Sequence, residues 1–128
     1  MGSAMLETVT VLPALLLVVF GGIEFSIAFG RFQIVSNAAR AGARAASLAR
    51  ADCNPRKVEA DIQEAVRLQG NQLGIFPPDL VVTASGLCSA GTSRVEVRYR
   101  HSLMALPRVG VIPPFLDLRA TSVSQNEG

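Results

Sequence analysis

The chain has 128 residues and a formal net charge of +2, with twelve basic side chains, ten acidic ones and one histidine. That length leaves room for one small domain beside any membrane segment, and so slight a charge excess does not argue for nucleic acid or an acidic substrate. There is no tryptophan and one tyrosine, Tyr99, so no aromatic platform for sugars or bases is visible.

The N-terminal third is a long apolar run. Thr8 to Ile23 carries no charge, and from Thr8 to Gly30 the only charge is Glu24. A helix of about 20 such residues, at ~1.5 Å each, crosses the hydrocarbon core of a bilayer. The run therefore predicts a transmembrane helix over about residues 8–30. Glu7 opens it. An ionisable group at the lip of an apolar span is costly, which makes Glu7 a functional candidate by default. Pro13, inside the run, removes one backbone hydrogen bond and is expected to kink or loosen the helix. A signal peptide is disfavoured: the run is too long, nothing basic precedes it, and Ala28-Phe29-Gly30 imitates a cleavage site poorly.

Beyond Arg31 alanine takes over, and the helix is expected to continue to Asp52. Ala38, Gly42 and Ala46 form one ridge of small residues, and Ala41, Ala45 and Ala49 a second. Such ridges let another element approach closely. They suit either neighbouring long helices in an assembly or the chain's own small domain. Glu24 has two readings as well. It pairs with Arg31 two turns on or with a basic group of another subunit, or it snorkels to the headgroups.

Asp52-Cys53-Asn54-Pro55 ends the first helix and starts a second, with Asn54 as N-cap and Pro55 at the first helical position. Val58, Ile62, Ala65 and Val66 recur at helical spacing. Gly70 or Gly74 is expected to end this helix, and Pro77-Pro78 to prevent its resumption. The remainder reads as strands. Asp79 to Ala84 is short and β-branched. Arg94 to Arg100 alternates, with Val95, Val97 and Tyr99 inward and Arg94, Glu96, Arg98 and Arg100 outward. Leu116 to Thr121 alternates again. Leu103 to Pro114 reads as an apolar loop, and Ser124 to Gly128 as a fraying tail. The fold expected is therefore α+β: a long helix over residues 1–52, then a small head over residues 53–128 with a second helix and a three-stranded antiparallel sheet.

No chemistry stands out. There is no Ser/His/Asp or Cys/His arrangement and no metal-spaced cluster, so neither a catalytic residue, a metal nor a cofactor is expected. His101 reads as a loop residue and not a base. Arg94, Arg98 and Arg100, diluted by Glu96 and Asp117, read as a solvated face and not a nucleic-acid site. Cys53 and Cys88 make no CxxC pair. They form a disulfide if the head lies outside the cytoplasm, and are otherwise two unrelated buried thiols.

Several stretches together resemble one family. Gly2, Ser3 and Glu7 come first, then Val11-Leu12-Pro13-Ala-Leu-Leu-Leu, Gly22-Ile-Glu-Phe, and Ala38-Ala39-Arg40-Ala-Gly42-Ala-Arg44. In this order they resemble the TadE-like pseudopilins of the tight-adherence (Tad) pilus systems, relatives of type IV pilins. The likeness covers roughly the first 50 residues, and the rest matches only as a variable pilin-like head. It implies cleavage by a prepilin peptidase between Gly2 and Ser3, leaving Glu7 at the fifth mature position. It also implies that Glu7 pairs with the terminal amine of a neighbouring subunit and so sets register. The small residues Ala38, Gly42 and Ala46, with Pro13, would then serve helix packing.

The resemblance implies a minor pseudopilin: a single-pass protein of the bacterial inner membrane with a periplasmic head, which reaches the pilus or cell surface after assembly. Its expected partners are membrane lipid, other pilin and pseudopilin subunits, the inner-membrane Tad machinery and the prepilin peptidase. The rival is a permanently anchored periplasmic accessory or binding protein that never enters a filament. Members of the family carry a longer, basic leader, whereas here only Met1 precedes Gly2. Arg31, Arg40, Arg44 and Arg50 all follow the span and by themselves would place the head in the cytoplasm. A longer true leader is the expectation that restores the opposite orientation.

Overall fold

The structure, a computed structural model, describes residues 2–48, 53–71, 80–88, 91–103 and 115–125. Helix α1 runs from Gly2 to Leu48 and α2 from Pro55 to Asn71. Strands β1 (Leu80–Ser85), β2 (Thr92–Ser102) and β3 (Phe115–Gln125) follow. They form one antiparallel sheet in the order β1-β2-β3. The α+β expectation holds: a long apolar helix, a second helix and a three-stranded sheet.

Helix α1 continues through Pro13. Proline has no N–H to offer the Val9 carbonyl, so that bond is missing from the ladder. Thr8, Thr10 and Ser26 return their hydroxyls to the carbonyls of Ala4, Leu6 and Gly22, each at 2.9 Å. In an apolar segment this keeps short polar side chains satisfied by their own helix.

The start of α2 follows its sequence closely. The Asn54 side chain accepts from the Arg56 N–H at 3.2 Å, and its carbonyl accepts from Lys57 and Val58. Pro55 occupies the first helical position, where its missing N–H costs nothing. Val58, Ile62, Val66 and Gly70 form the buried stripe. Gly70 lies within the helix, and Gly74 and Pro77-Pro78 fall outside the described residues.

The core lies between the later half of α1, α2 and one face of the sheet. Val35, Ala38, Ala39, Ala43 and Ala46 of α1 meet Val58, Ile62 and Val66 of α2, and Val95, Val97 and Tyr99 of β2. Gly42 lies where the three elements converge. A Cβ there would sit 3.0 Å from a Val95 methyl and 3.2 Å from methyls of Ile62 and Val66. The ridge Ala38, Gly42 and Ala46 is thus occupied by the chain's own head, the second of its two readings.

Inward and outward residues of β2 fall as the alternation predicts, and the strand is longer than expected at both ends. Ser93 and His101 join the inner face. Strand β3 also extends to Gln125, paired with Thr92, so Ser124 and Gln125 belong to the sheet and not to a frayed tail. Gly86, at φ +73°, turns the chain out of β1; a Cβ there would meet the Thr92 carbonyl oxygen at 2.4 Å, so only glycine fits. Cys88, in the same turn, is bonded to Cys53 just ahead of α2, with a Cα–Cα separation of 5.7 Å.

Candidate functional site

Two features of α1 carry functional weight: its uncovered N-terminal half and the point where the head begins to cover it. Every side chain described from Ala4 to Phe20 is exposed. Counted from Thr8, the first residue after Glu7, about 20 residues of α1 supply the ~30 Å of a bilayer's hydrocarbon core. Apolar residues face every direction around it, which a helix does stably only in lipid or against other helices. Helix α1 is long and apolar enough to cross a membrane. Glu7 is exposed on this half, as is Pro13. Gly2 and Ser3 form its first helical residues.

The head meets α1 at a buried polar cluster. Glu24 is 3% exposed and His101 fully buried. His101 Nε2 lies 2.9 Å from Glu24 Oε1, and His101 Nδ1 lies 2.7 Å from the Arg31 guanidinium. Arginine only donates hydrogen bonds, so Nδ1 must accept. That assigns the proton to Nε2, which donates to the carboxylate. A neutral imidazole therefore stands between a cation and an anion. The same Arg31 nitrogen donates to the Tyr99 hydroxyl at 2.8 Å, and its guanidinium lies 5.7 Å from the ring centroid.

This corrects the expectations for both residues. Glu24 does not snorkel to headgroups; it is buried beside His101, whose other ring nitrogen accepts from Arg31. His101 is a buried strand residue and not part of a loop. The arrangement contains no nucleophile beside a base, and it reads as a polar clasp joining β2 to α1. Among the described residues no group of three His, Cys, Asp or Glu could hold a metal.

A signal for the clasp was present in the sequence. Glu24, Ala28, Arg31, Val35, Ala38 and Gly42 follow one another at three- and four-residue steps, along one stripe of α1. The inward parity of Val95, Val97 and Tyr99 continues to His101. Together these two periods place Glu24 and His101 on facing surfaces.

The outward face of the sheet is charged. Glu96 Oε1 lies 2.6 Å from Arg98 Nε and 3.2 Å from Arg119 Nε. Arg98 and Arg119 are direct cross-strand partners, so one carboxylate serves two like charges. The Arg98 hydrogen bond holds the Glu96 carboxyl below its usual range; nearby Arg119 and Arg94 add to this, and partial burial opposes it.

Residues 2–44 match the TadE-like protein family. The match runs along α1, taking in Gly2, Ser3, Glu7, Pro13, Glu24 and Arg31, and ends before α2. No curated protein and no solved structure matches the chain. The TadE-like segment supports involvement in the Tad pilus system. With that segment in place, the bare half of α1 is a candidate membrane anchor.

Of the site residues expected from sequence, Cys53 and Cys88 are joined. Ala38, Gly42 and Ala46 are buried in the head, whereas Gly2, Glu7 and Pro13 stand clear of it on the bare half.

Proposed function

We propose that the chain is a minor pseudopilin that assembles through the bare half of α1. The observation carrying this reading is the division of α1. The head occupies the helix from Glu24 upward and leaves the segment that carries Gly2 and Glu7 exposed. Cleavage between Gly2 and Ser3 would put an amine at the start of the mature helix and Glu7 at its fifth position. A carboxylate in an apolar layer needs a partner, and the amine of a neighbouring subunit supplies one only in the correct register. Glu7 then acts as a register lock.

The head lies in the periplasm on this reading, facing an oxidising compartment. The Cys53–Cys88 bond supports that orientation, because such bonds persist outside the cytoplasm. The partners are lipid, other pilin-like subunits, the prepilin peptidase and the inner-membrane assembly machinery.

The test is the intact mass of the protein from native envelopes, with and without reductant, alongside pilus assembly by Glu7→Ala. The reading expects a chain beginning at Ser3, one disulfide, and defective assembly of the variant. An uncut chain together with normal assembly by Glu7→Ala would turn the conclusion to the permanently anchored accessory protein.

A further inference from the structure

An apolar groove of about 370 Å³ lies beside the clasp, where the head meets α1. From α1 it is lined mainly by Gly21, Phe25, Ala28 and Phe29, and from the head by Leu103 and Leu116. Glu24 also reaches its wall, but that carboxylate is held by His101 and is almost wholly enclosed. The groove therefore presents hydrocarbon and little else, although Phe25, Leu116 and the neighbouring Phe115 stay well exposed.

We propose that this groove holds an acyl chain of a membrane phospholipid, so that the lower edge of the head is seated in the bilayer. The proposal rests on the reading above, in which the bare half of α1 is inserted. Its argument is one of depth. A hydrocarbon core of ~30 Å takes about 20 helical residues. Counted from Thr8, the first residue after Glu7, that length ends near Ile27. Gly21, Phe25 and Ala28 thus lie at the head-side boundary of the hydrocarbon, where acyl chains are the surrounding medium. At that depth an open carboxylate would be costly, and Glu24 is the residue the head encloses.

The outer face of the same sheet end agrees with that depth. There the Arg100 guanidinium lies 4.6 Å from the Phe115 ring centroid, on the face opposite Leu116. Arg100 also pairs with Asp117 at 3.5 Å, with both side chains about two-thirds exposed. An arginine stem over an aromatic ring, with its charge toward water, suits the phosphate level above an acyl chain. A second copy's helix is the weaker occupant. Helices approach closely over small residues, and the walls here are mostly phenylalanine and leucine, while the small ridge Ala38-Gly42-Ala46 is already covered.

The chain has no tryptophan, so a single introduced one is an unambiguous reporter. Leu116→Trp, Val123→Trp and Leu16→Trp would each be reconstituted as the full chain at high dilution. The vesicles would be dioleoylphosphatidylcholine, with or without phosphatidylcholine brominated near the carbonyl end of its acyl chains for the two head variants, and near the methyl end for Leu16→Trp, which the count from Thr8 puts close to the midplane. The expected result is loss of most emission at Leu116→Trp and little loss at Val123→Trp, about 24 Å further along β3, with Leu16→Trp quenched as an inserted helix requires. If Leu16→Trp is quenched but Leu116→Trp is not, the helix is inserted and the groove proposal is overturned, leaving a protein neighbour as the occupant. If neither is quenched, insertion itself fails and both readings fall. Leu103→Trp, on the head's side of the same groove, repeats the measurement should Leu116→Trp not fold.

Discussion

The two halves of α1 are built from similar amounts of apolar residue and have opposite fates. From Ala4 to Phe20 valine, leucine and phenylalanine point in every direction and stay exposed. From Val35 to Ala46 the apolar residues are mostly alanine, kept to one side, and buried. The first half has large side chains and no partner; the second has small side chains and two partners, α2 and the sheet. Side-chain volume explains the difference. Small residues let the backbones close to contact distance, whereas a continuous coat of large ones fills a cylinder that only lipid or other helices can surround. The Glu24–His101–Arg31 clasp marks the change from one regime to the other.

The largest expected effect is on that boundary. His101→Leu removes the donor to Glu24 and the acceptor of Arg31 together. Disrupting a buried polar pair of this kind costs about 3–5 kcal/mol. Glu7→Gln, on the exposed half, should leave head stability unchanged. Urea unfolding of the detergent-solubilised protein, followed by the emission of Tyr99, reads both, since no tryptophan masks the signal. Equal stability of His101→Leu and the parent would show that the clasp does not hold the head to the helix.

The disulfide comes next. The Cys53–Cys88 bond closes a separation of 35 residues within the head alone. Replacing both cysteines with serine should lower head stability by about 2–4 kcal/mol and leave the helicity of the bare half intact. Far-ultraviolet circular dichroism alongside the urea curve separates the two. Loss of α1 helicity in the same transition would mean that the two halves form one cooperative unit.

Glycine sharpens the contrast at a smaller scale. A Cβ at Gly42 already meets methyls at 3.0 and 3.2 Å, whereas one at Gly22 meets nothing within 4 Å. Gly42→Val should destabilise the head by about 1–3 kcal/mol through overpacking, and Gly22→Val should not change it. Thermal melts of the two variants beside the parent make the comparison. A neutral Gly42→Val would show that α1, α2 and β2 are less tightly joined than their separations imply.

Much of this was legible in the sequence for physical reasons. Asn54-Pro55 encodes a helix start by local hydrogen bonding, and Val58, Ile62 and Val66 encode its buried stripe by period. The alternation from Arg94 to Arg100 assigns both faces of β2. What was not legible depended on two elements meeting. His101 looks like loop because it follows Arg100 and precedes an apolar, proline-containing stretch; only its strand parity, set against the helical phase of Glu24, brings the two together. The small ridge was ambiguous for a related reason. Alanine and glycine admit a close partner without saying whose, and the choice of α2 over another subunit is a tertiary fact. Gly2, Ser3 and Glu7 carry no folding information for the head, so their meaning comes from the family likeness and from their position on the uncovered half.

The smallest expected effect is on the solvent face of the sheet, and it concerns pH. Glu24 is enclosed at the junction, whereas Glu96 lies between Arg98 and Arg119 on the outer side. Its carboxyl is held below the usual range, first by the Arg98 hydrogen bond and then by the charges of Arg119, Arg98 and Arg94. A carboxyl that is more acidic folded than unfolded binds protons less readily in the native state. Its contribution is therefore complete above the unfolded carboxylate range and is lost as pH falls through the lower, folded value. Protonation also returns Arg98 and Arg119, directly paired across the strands, to facing one another without the shared anion. Glu96→Gln should thus be slightly less stable than the parent at neutral pH, with the difference shrinking under acid. Melting temperatures of both proteins across the acid range, at low salt, test the sign, and a gap that widens as pH falls would refute it. High salt should narrow the neutral-pH difference, because these groups are open to solvent.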